Sequence, residues 1–156
     1  MIFKHVFRAR LDWSKDSPPL SSSSGIYSKN HRISIQDKVD LHVSAAKAFK
    51  GDPALYNPED LMLSSLVSCH MMSYHYVCSK HHIELVSYTD EAEATLETHT
   101  DGSGRFIKVT LNPHVCVTDP NKIQLALALH AEASKLCFIA NSCNFPIIHN
   151  PTCTSI

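Results

Sequence analysis

Six cysteines and eleven histidines are the residues of this 156-residue chain with the most available chemistry. Cys69 lies in Ser64-Ser65-Leu66-Val67-Ser68-Cys69-His70, and Cys78 follows nine positions later. On a helix turning about 100° per residue the two are roughly 180° apart, so they cannot pair with each other. Cys137 and Cys143 are six apart with a helix break expected between them, Cys116 alternates within a strand pattern, and Cys153 sits in the tail. None forms CxxC, which argues against zinc and thioredoxin-type sites. Spacing alone selects no redox pair. A mid-helix thiol such as Cys69 is by default a small inert hydrophobe. To react at neutral pH it needs a neighbouring cation, because a thiol of pKa about 8.5 is mostly protonated there.

The histidines raise the question of a metal. His70, Tyr74 and Cys78 are spaced by fours, with His81 and His82 just beyond. Four-apart residues share a helix face, which allows a two-ligand start. Neither HExxH nor a paired Cys/His layout completes it, and a buried, hydrogen-bonded histidine is the ordinary reading of His70. Four glycines, with neither GxGxxG nor GxxxxGK[ST], leave no phosphate cradle. No metal or organic cofactor is expected.

Fourteen basic against fifteen acidic residues give a net charge of −1, which supplies no basic excess for a nucleic-acid backbone. From Leu61 to Ser79 there is no charged residue over nineteen positions, but five serines and two histidines interrupt the run. A buried helix is therefore expected rather than a membrane span. The N-terminus carries no apolar run of secretory length, so six cysteines point to a reducing compartment, the cytoplasm. With 44% apolar residues, one domain over 1–156 is expected.

The elements that must position these groups follow from periodicity. Residues 4–13 alternate apolar and polar as a half-buried strand does. A proline-, serine- and glycine-containing stretch over 14–25 reads as an exposed, mobile loop. Short strands are expected at Ile33–Ile35 and Val39–Val43 around a turn at Gln36-Asp37-Lys38. Asn57 as N-cap, Pro58 at the first helical position and Glu59 and Asp60 in the first turn start a helix that can run to about Lys80. Its apolar residues fall on every face, so it must be surrounded, and a second subunit is expected to help. A strand pair over 83–99 and 105–118 is joined by Asp101-Gly102-Ser103-Gly104. Asp119 and Pro120 then start a second helix through Ile123, Leu127, Ala131 and Leu136, ending near Cys137. The tail from Phe145 has room for one more strand, which Pro146 and Pro151 disfavour. The order β-β-β-α-β-β-α, with an optional last β, is an α+β fold.

The stretch from Tyr56 to His70, with Asn57-Pro58-Glu59-Asp60-Leu61 ten residues ahead of Cys69, resembles the signature of the OsmC/Ohr family of osmotically inducible and organic-hydroperoxide-resistance proteins. Ala131-Glu132-Ala133-Ser134-Lys135-Leu136-Cys137 resembles the segment carrying that family's other cysteine. Phe138-Ile139-Ala140-Asn141-Ser142 is similar to an OsmC-like branch. The resemblance spans about residues 4–150. It implies an intertwined homodimer with long central helices and a thiol peroxidase that reduces organic hydroperoxides. Cys69 would become a sulfenic acid, and Cys137 would resolve it as a disulfide. An external dithiol, lipoyl-type or a small thiol, would recycle the pair. Glu59 would position the cation and the peroxide oxygen; its plainer role is to answer the helix dipole. Ten residues of straight helix span about 15 Å, so Glu59 reaches Cys69 only if the helix starts late or breaks, or else serves a partner's thiol. The family's arginine falls on Lys29 or on Arg32, within Tyr27-Ser28-Lys29-Asn30-His31-Arg32. A lysine there would replace a bidentate group by a point charge. His70 departs from the apolar residue often found after the cysteine. The same fold also suits a non-enzymatic protein binding a small apolar ligand between subunits, and a metal-binding stress protein would carry stoichiometric zinc.

Overall fold

The computed structural model describes residues 2–15 and 27–156. Most of the loop expected over 14–25 lies outside these residues. The chain divides into two compact units, Met1–Met62 and Leu63–Ile156.

The first unit holds an antiparallel meander of β1 (Arg10–Asp12), β2 (His31–Ser34) and β3 (Leu41–Val43). The strand expected over 4–13 forms only at its end. Alternation makes a strand possible, but a ladder needs a partner, and β2 offers one only to Arg10, Leu11 and Asp12. The turn expected at 36–38 closes with the Lys38 amide on the Ile35 carbonyl at 3.1 Å and with Asp37 left-handed at φ 62°. After β3, the Ser44 amide donates to the Tyr56 carbonyl at 2.8 Å, and a single turn of 3-10 helix spans Lys47–Phe49. Gly51 ends that turn where a Cβ would lie 1.7 Å from the Ala45 carbonyl oxygen, so no other residue fits.

Helix α1 (Pro58–Lys80) starts as the sequence specifies, with the Asp60 amide donating to Asn57 Oδ1 at 2.9 Å. It ends where His82 turns left-handed at φ 52°.

In the second unit the two strands expected over 83–99 and 105–118 are four: β4 (Leu85–Asp90), β5 (Glu93–Thr98), β6 (Gly104–Leu111) and β7 (Pro113–Val117). The long hairpin is broken midway. There Asn112 donates its amide to Asp90 Oδ1 at 2.8 Å and its side chain to the Glu91 carbonyl at 2.7 Å, in place of ladder bonds. Pro113 has no N–H to continue the ladder. The turn itself forms as expected, with Gly102 at φ 86° and Asp101 Oδ1 accepting from the Ser103 amide and hydroxyl.

Pro120 does not open an α-helix directly. Asp119 caps a 3-10 turn, Pro120–Lys122, by accepting from the Asn121 amide at 2.9 Å, and α2 (Ile123–Leu136) follows. Its buried face is Ala126, Leu129, His130 and Ala133, while Ala131 and Leu136 are exposed. The tail forms two strands rather than one, β8 (Ile147–His149) and β9 (Thr152–Ser155), with Pro151 between them. They add in parallel to β6 and β7 and complete the sheets β5-β6-β8 and β4-β7-β9. The architecture is α+β.

The core of this unit packs Tyr74, Val77 and Cys78 of α1 against Ala126, Leu129 and Ala133 of α2 and against Val115 and Val117 of β7. Only one face of α1 is buried; Met72 and Tyr76 remain 58% and 55% exposed. Among the described residues no helix is long and apolar enough to cross a membrane.

Candidate active site

Cys69 faces Cys137. Residue 69 is half-buried on α1, and Cys137, fully buried, is the residue at which α2 turns to extended backbone. Helix α2 stops there because the 3-10 turn Ala140–Ser142 follows, with the Ala140 amide donating to Cys137 Sγ at 3.4 Å. Burial pushes the Cys137 thiol up to about 11 against the pull of that amide, and its hydrogen bond to Cys69 adds to the rise. The Cys137 thiol therefore lies beside that of Cys69. Met72, Ser73, Tyr76, Leu136 and Phe138 complete the walls of a pocket of about 470 Å³ over Cys69. These walls are chiefly apolar, and Phe138, 81% exposed, forms the rim. The arrangement can bring an apolar molecule to one thiol while a second, protonated thiol waits beside it.

The other four cysteines have separate surroundings, and all six are free. Cys78 is a core residue whose thiol burial holds above the ordinary range. Cys143 donates to the Ile139 carbonyl at 3.2 Å, and Cys153 to that of Thr154 at 3.6 Å. Cys116 is half-buried on β7.

In the first unit, Arg32 is held between two carboxylates, with Nη2 3.1 Å from Asp12 and Nη1 3.4 Å from Asp40. Lys29 donates through Nζ to the Phe49 carbonyl, and no ion pair of its ammonium occurs among the described residues. Glu59 has a buried Oε2 without a hydrogen-bond partner among the described residues. Helix α1 is unbroken from Pro58, which removes the late start and the break as routes from Glu59 to the thiol of its own chain.

His70 is buried, as its plainer reading has it, but in company the sequence did not reveal. Its Nε2 is 3.1 Å from Nδ1 of His130, and its ring centroid lies 4.5 Å from that of His149. Burial holds His70 near 3 and His130 near 4, so both are neutral at pH 7. The four-spaced set His70, Tyr74 and Cys78 does not assemble as ligands, since the Tyr74 hydroxyl donates to the Ala126 carbonyl at 2.9 Å and Cys78 is core. No group of three potential ligands among the described residues is placed to hold a metal. His130 and His149 stand 60 and 79 positions from His70, and no local spacing could have joined them.

The family described as OsmC-like protein matches residues 49–150. Among solved structures the chain is similar to an OsmC-like protein of unknown function from Vibrio cholerae, with 25% identity, a TM-score of 0.80 and coverage of 95% of this chain and 99% of that one. It is also similar to an organic hydroperoxide resistance protein OsmC from Legionella pneumophila (18% identity, TM-score 0.71, 96% and 97% covered). A third is an organic hydroperoxide resistance protein from Elizabethkingia anophelis (16%, 0.69, the whole of both chains). No curated protein matches it.

Proposed function

This chain belongs to the OsmC-like protein family, and from that premise we propose that it is a thiol peroxidase acting on organic hydroperoxides. The observation that carries the proposal is the Cys137 thiol beside Cys69, which itself lines an apolar pocket. The Cys69 thiolate attacks the distal peroxide oxygen: an S–O bond forms, the O–O bond breaks, and the alkoxide leaves as an alcohol after taking a proton. Cys137, the resolving thiol, then attacks the sulfenic sulfur and releases water as the disulfide forms. An external dithiol restores both thiols by exchange and supplies the two electrons. These steps call on no cofactor. Apolar walls suit an alkyl or aryl peroxide better than hydrogen peroxide.

The cation that favours the thiolate is assigned to Lys29 rather than Arg32. Two carboxylates already neutralise the guanidinium, whereas the ammonium of Lys29 meets a carbonyl and keeps its charge. Glu59 is assigned to position that cation and the peroxide, and its unpartnered Oε2 is available for the task. With α1 unbroken, it acts on the thiol of a second copy in a homodimer. The exposed Met72 and Tyr76 of α1 support a subunit covering that face. Reduced cysteines suit a cytoplasmic setting.

The experiment is turnover of an organic hydroperoxide with a dithiol, comparing the native chain with Cys69→Ser. Consumption that disappears in the variant supports the peroxidase. No consumption with several peroxides and dithiols favours the second reading, a binding protein for a small apolar ligand, which the engaged Arg32 already suits.

A further inference from the structure

We infer that the His70–His130 hydrogen bond is the positioning device of the thiol pair, a polar clasp that fixes α1 against α2 so that Cys69 meets Cys137. The inference rests on the peroxidase reading above.

The two helices that carry the thiols also carry the two imidazoles. His70 follows Cys69 directly on α1, and His130 lies seven residues before Cys137, about two turns or 10 Å along α2. The rings meet at 3.1 Å between Nε2 and Nδ1, and both residues are almost fully buried. The His130 ring also stacks on Tyr74 of α1, with centroids 3.9 Å apart and planes 13° from parallel. The Tyr74 hydroxyl donates to the Ala126 carbonyl of α2 at 2.9 Å. Directional bonds thus join α1 to α2 beside the thiols.

Stability alone does not account for these histidines. His70 Nδ1 and His130 Nε2 are buried with no hydrogen-bond partner among the described residues, as is His149 Nε2 behind them. Each orphaned nitrogen costs desolvation, and apolar residues of the same shape would avoid that cost. What a buried polar pair adds is a single permitted arrangement. A disulfide needs one, because its Cα atoms must come within about 4.4–6.8 Å with the Cβ vectors facing. A helix moved by one residue shifts about 1.5 Å and turns about 100°, and non-directional apolar contacts resist this weakly.

The clasp also needs one N–H and one bare nitrogen between the two rings. A proton on each ring removes the acceptor and parts them. The titratable groups facing the pair are Tyr74 on α1, Tyr88 and Asp90 on β4 and His149 on β8. Asp90 acts through His149, so among the described residues no anion faces the clasp directly to offset a second charge.

The test is the equilibrium constant of the Cys69–Cys137 disulfide against dithiothreitol, with the bond located by peptide mapping. His70→Phe and His130→Leu are expected to fold, with unfolding midpoints at or above that of the native chain. They are expected to weaken the disulfide at least tenfold, a shift of about 30 mV in potential. His70→Gln, whose amide nitrogen can take the place of Nε2, is expected to keep the native constant. It should also lack the loss expected of the native protein on acidification, because a charged His130 can still donate to the amide oxygen. Folded Phe and Leu variants with a native constant overturn the clasp and leave the peroxidase standing. Unfolding of both also overturns it, by assigning the bond to stability. A native chain that forms no Cys69–Cys137 disulfide when given hydroperoxide overturns the peroxidase reading and the clasp with it.

Discussion

Asn57 and Asp60 hold each other across the first turn of α1: the Asn57 side-chain amide donates to Asp60 Oδ2 at 2.7 Å while the Asp60 amide donates to Asn57 Oδ1 at 2.9 Å. This reciprocal cap occupies Asp60 and leaves its neighbour Glu59 out. Two acidic residues that look equivalent as complements to a helix dipole therefore differ in employment, one bonded and one with a buried unpartnered oxygen.

On the peroxidase reading, that division separates a stability residue from a functional one. Asn57→Ala removes the cap and is expected to cost about 1 kcal/mol in urea unfolding with native hydroperoxide turnover at saturating folded protein. Glu59→Gln is expected to leave the unfolding midpoint in place and to lower turnover at least tenfold. Equal turnover in the two variants would remove Glu59 from the reaction.

Cys137→Ser should leave the first chemical step and remove the second. One equivalent of organic hydroperoxide is expected to produce a sulfenic acid at Cys69, visible by dimedone labelling and mass spectrometry, with turnover by dithiol greatly slowed. A disulfide from Cys69 to Cys143 in the variant would show that resolution does not depend on the thiol facing it.

The parts of this architecture set by local chemistry were legible in the sequence. Asn57-Pro58 and Asp101-Gly102 each fix a backbone geometry within a few residues and mark the feature they imply, while Asp119-Pro120 marks a 3-10 turn that leads into α2 rather than the first turn of the α-helix itself. Non-local pairing was not legible. β8 and β9 are short, flank a proline and gain their bonds from β6 and β7, with Val109 meeting Ile147 and Val117 meeting Ser155. The break of the long hairpin depends on Asn112 reaching back to Asp90 and Glu91. The facing of Cys69 and Cys137 was implied only by resemblance, since no spacing rule joins residues 68 positions apart. The same limit hid the histidine cluster, whose members lie on α1, α2 and β8.

Lys29 and Arg32 are separable by charge accounting. Arg32→Met frees Asp12 and Asp40 from their shared guanidinium, and exposed pairs of this kind are worth under about 1 kcal/mol each. The expected result is a small loss of stability with turnover within twofold of native. Lys29→Met removes an ammonium that no carboxylate among the described residues compensates, and it should lower the rate at which iodoacetamide alkylates Cys69 at pH 7. The opposite ranking in alkylation rate would move the cation to Arg32.

The buried imidazoles give stability a direction with pH. His70 near 3 and His130 near 4 both titrate well below the ordinary 6.5 of an unfolded histidine. Above pH 6.5 neither state is charged, and the full stability is present. Between about 6.5 and 4 the unfolded chain binds protons that the folded chain refuses, so stability falls with pH, by up to about 1.4 kcal/mol per unit for each histidine. His149, also lowered by burial, acts in the same sense. Asp90, whose carboxyl burial raises, acts in the opposite one near pH 4 and blunts the loss. Urea unfolding from pH 7 to pH 4 is therefore expected to give a falling midpoint, with a shallower fall in His70→Gln, which has one fewer refused proton. A variant as acid-sensitive as the native chain would mean that His70 is charged in the folded state, which its burial beside two other imidazoles argues against.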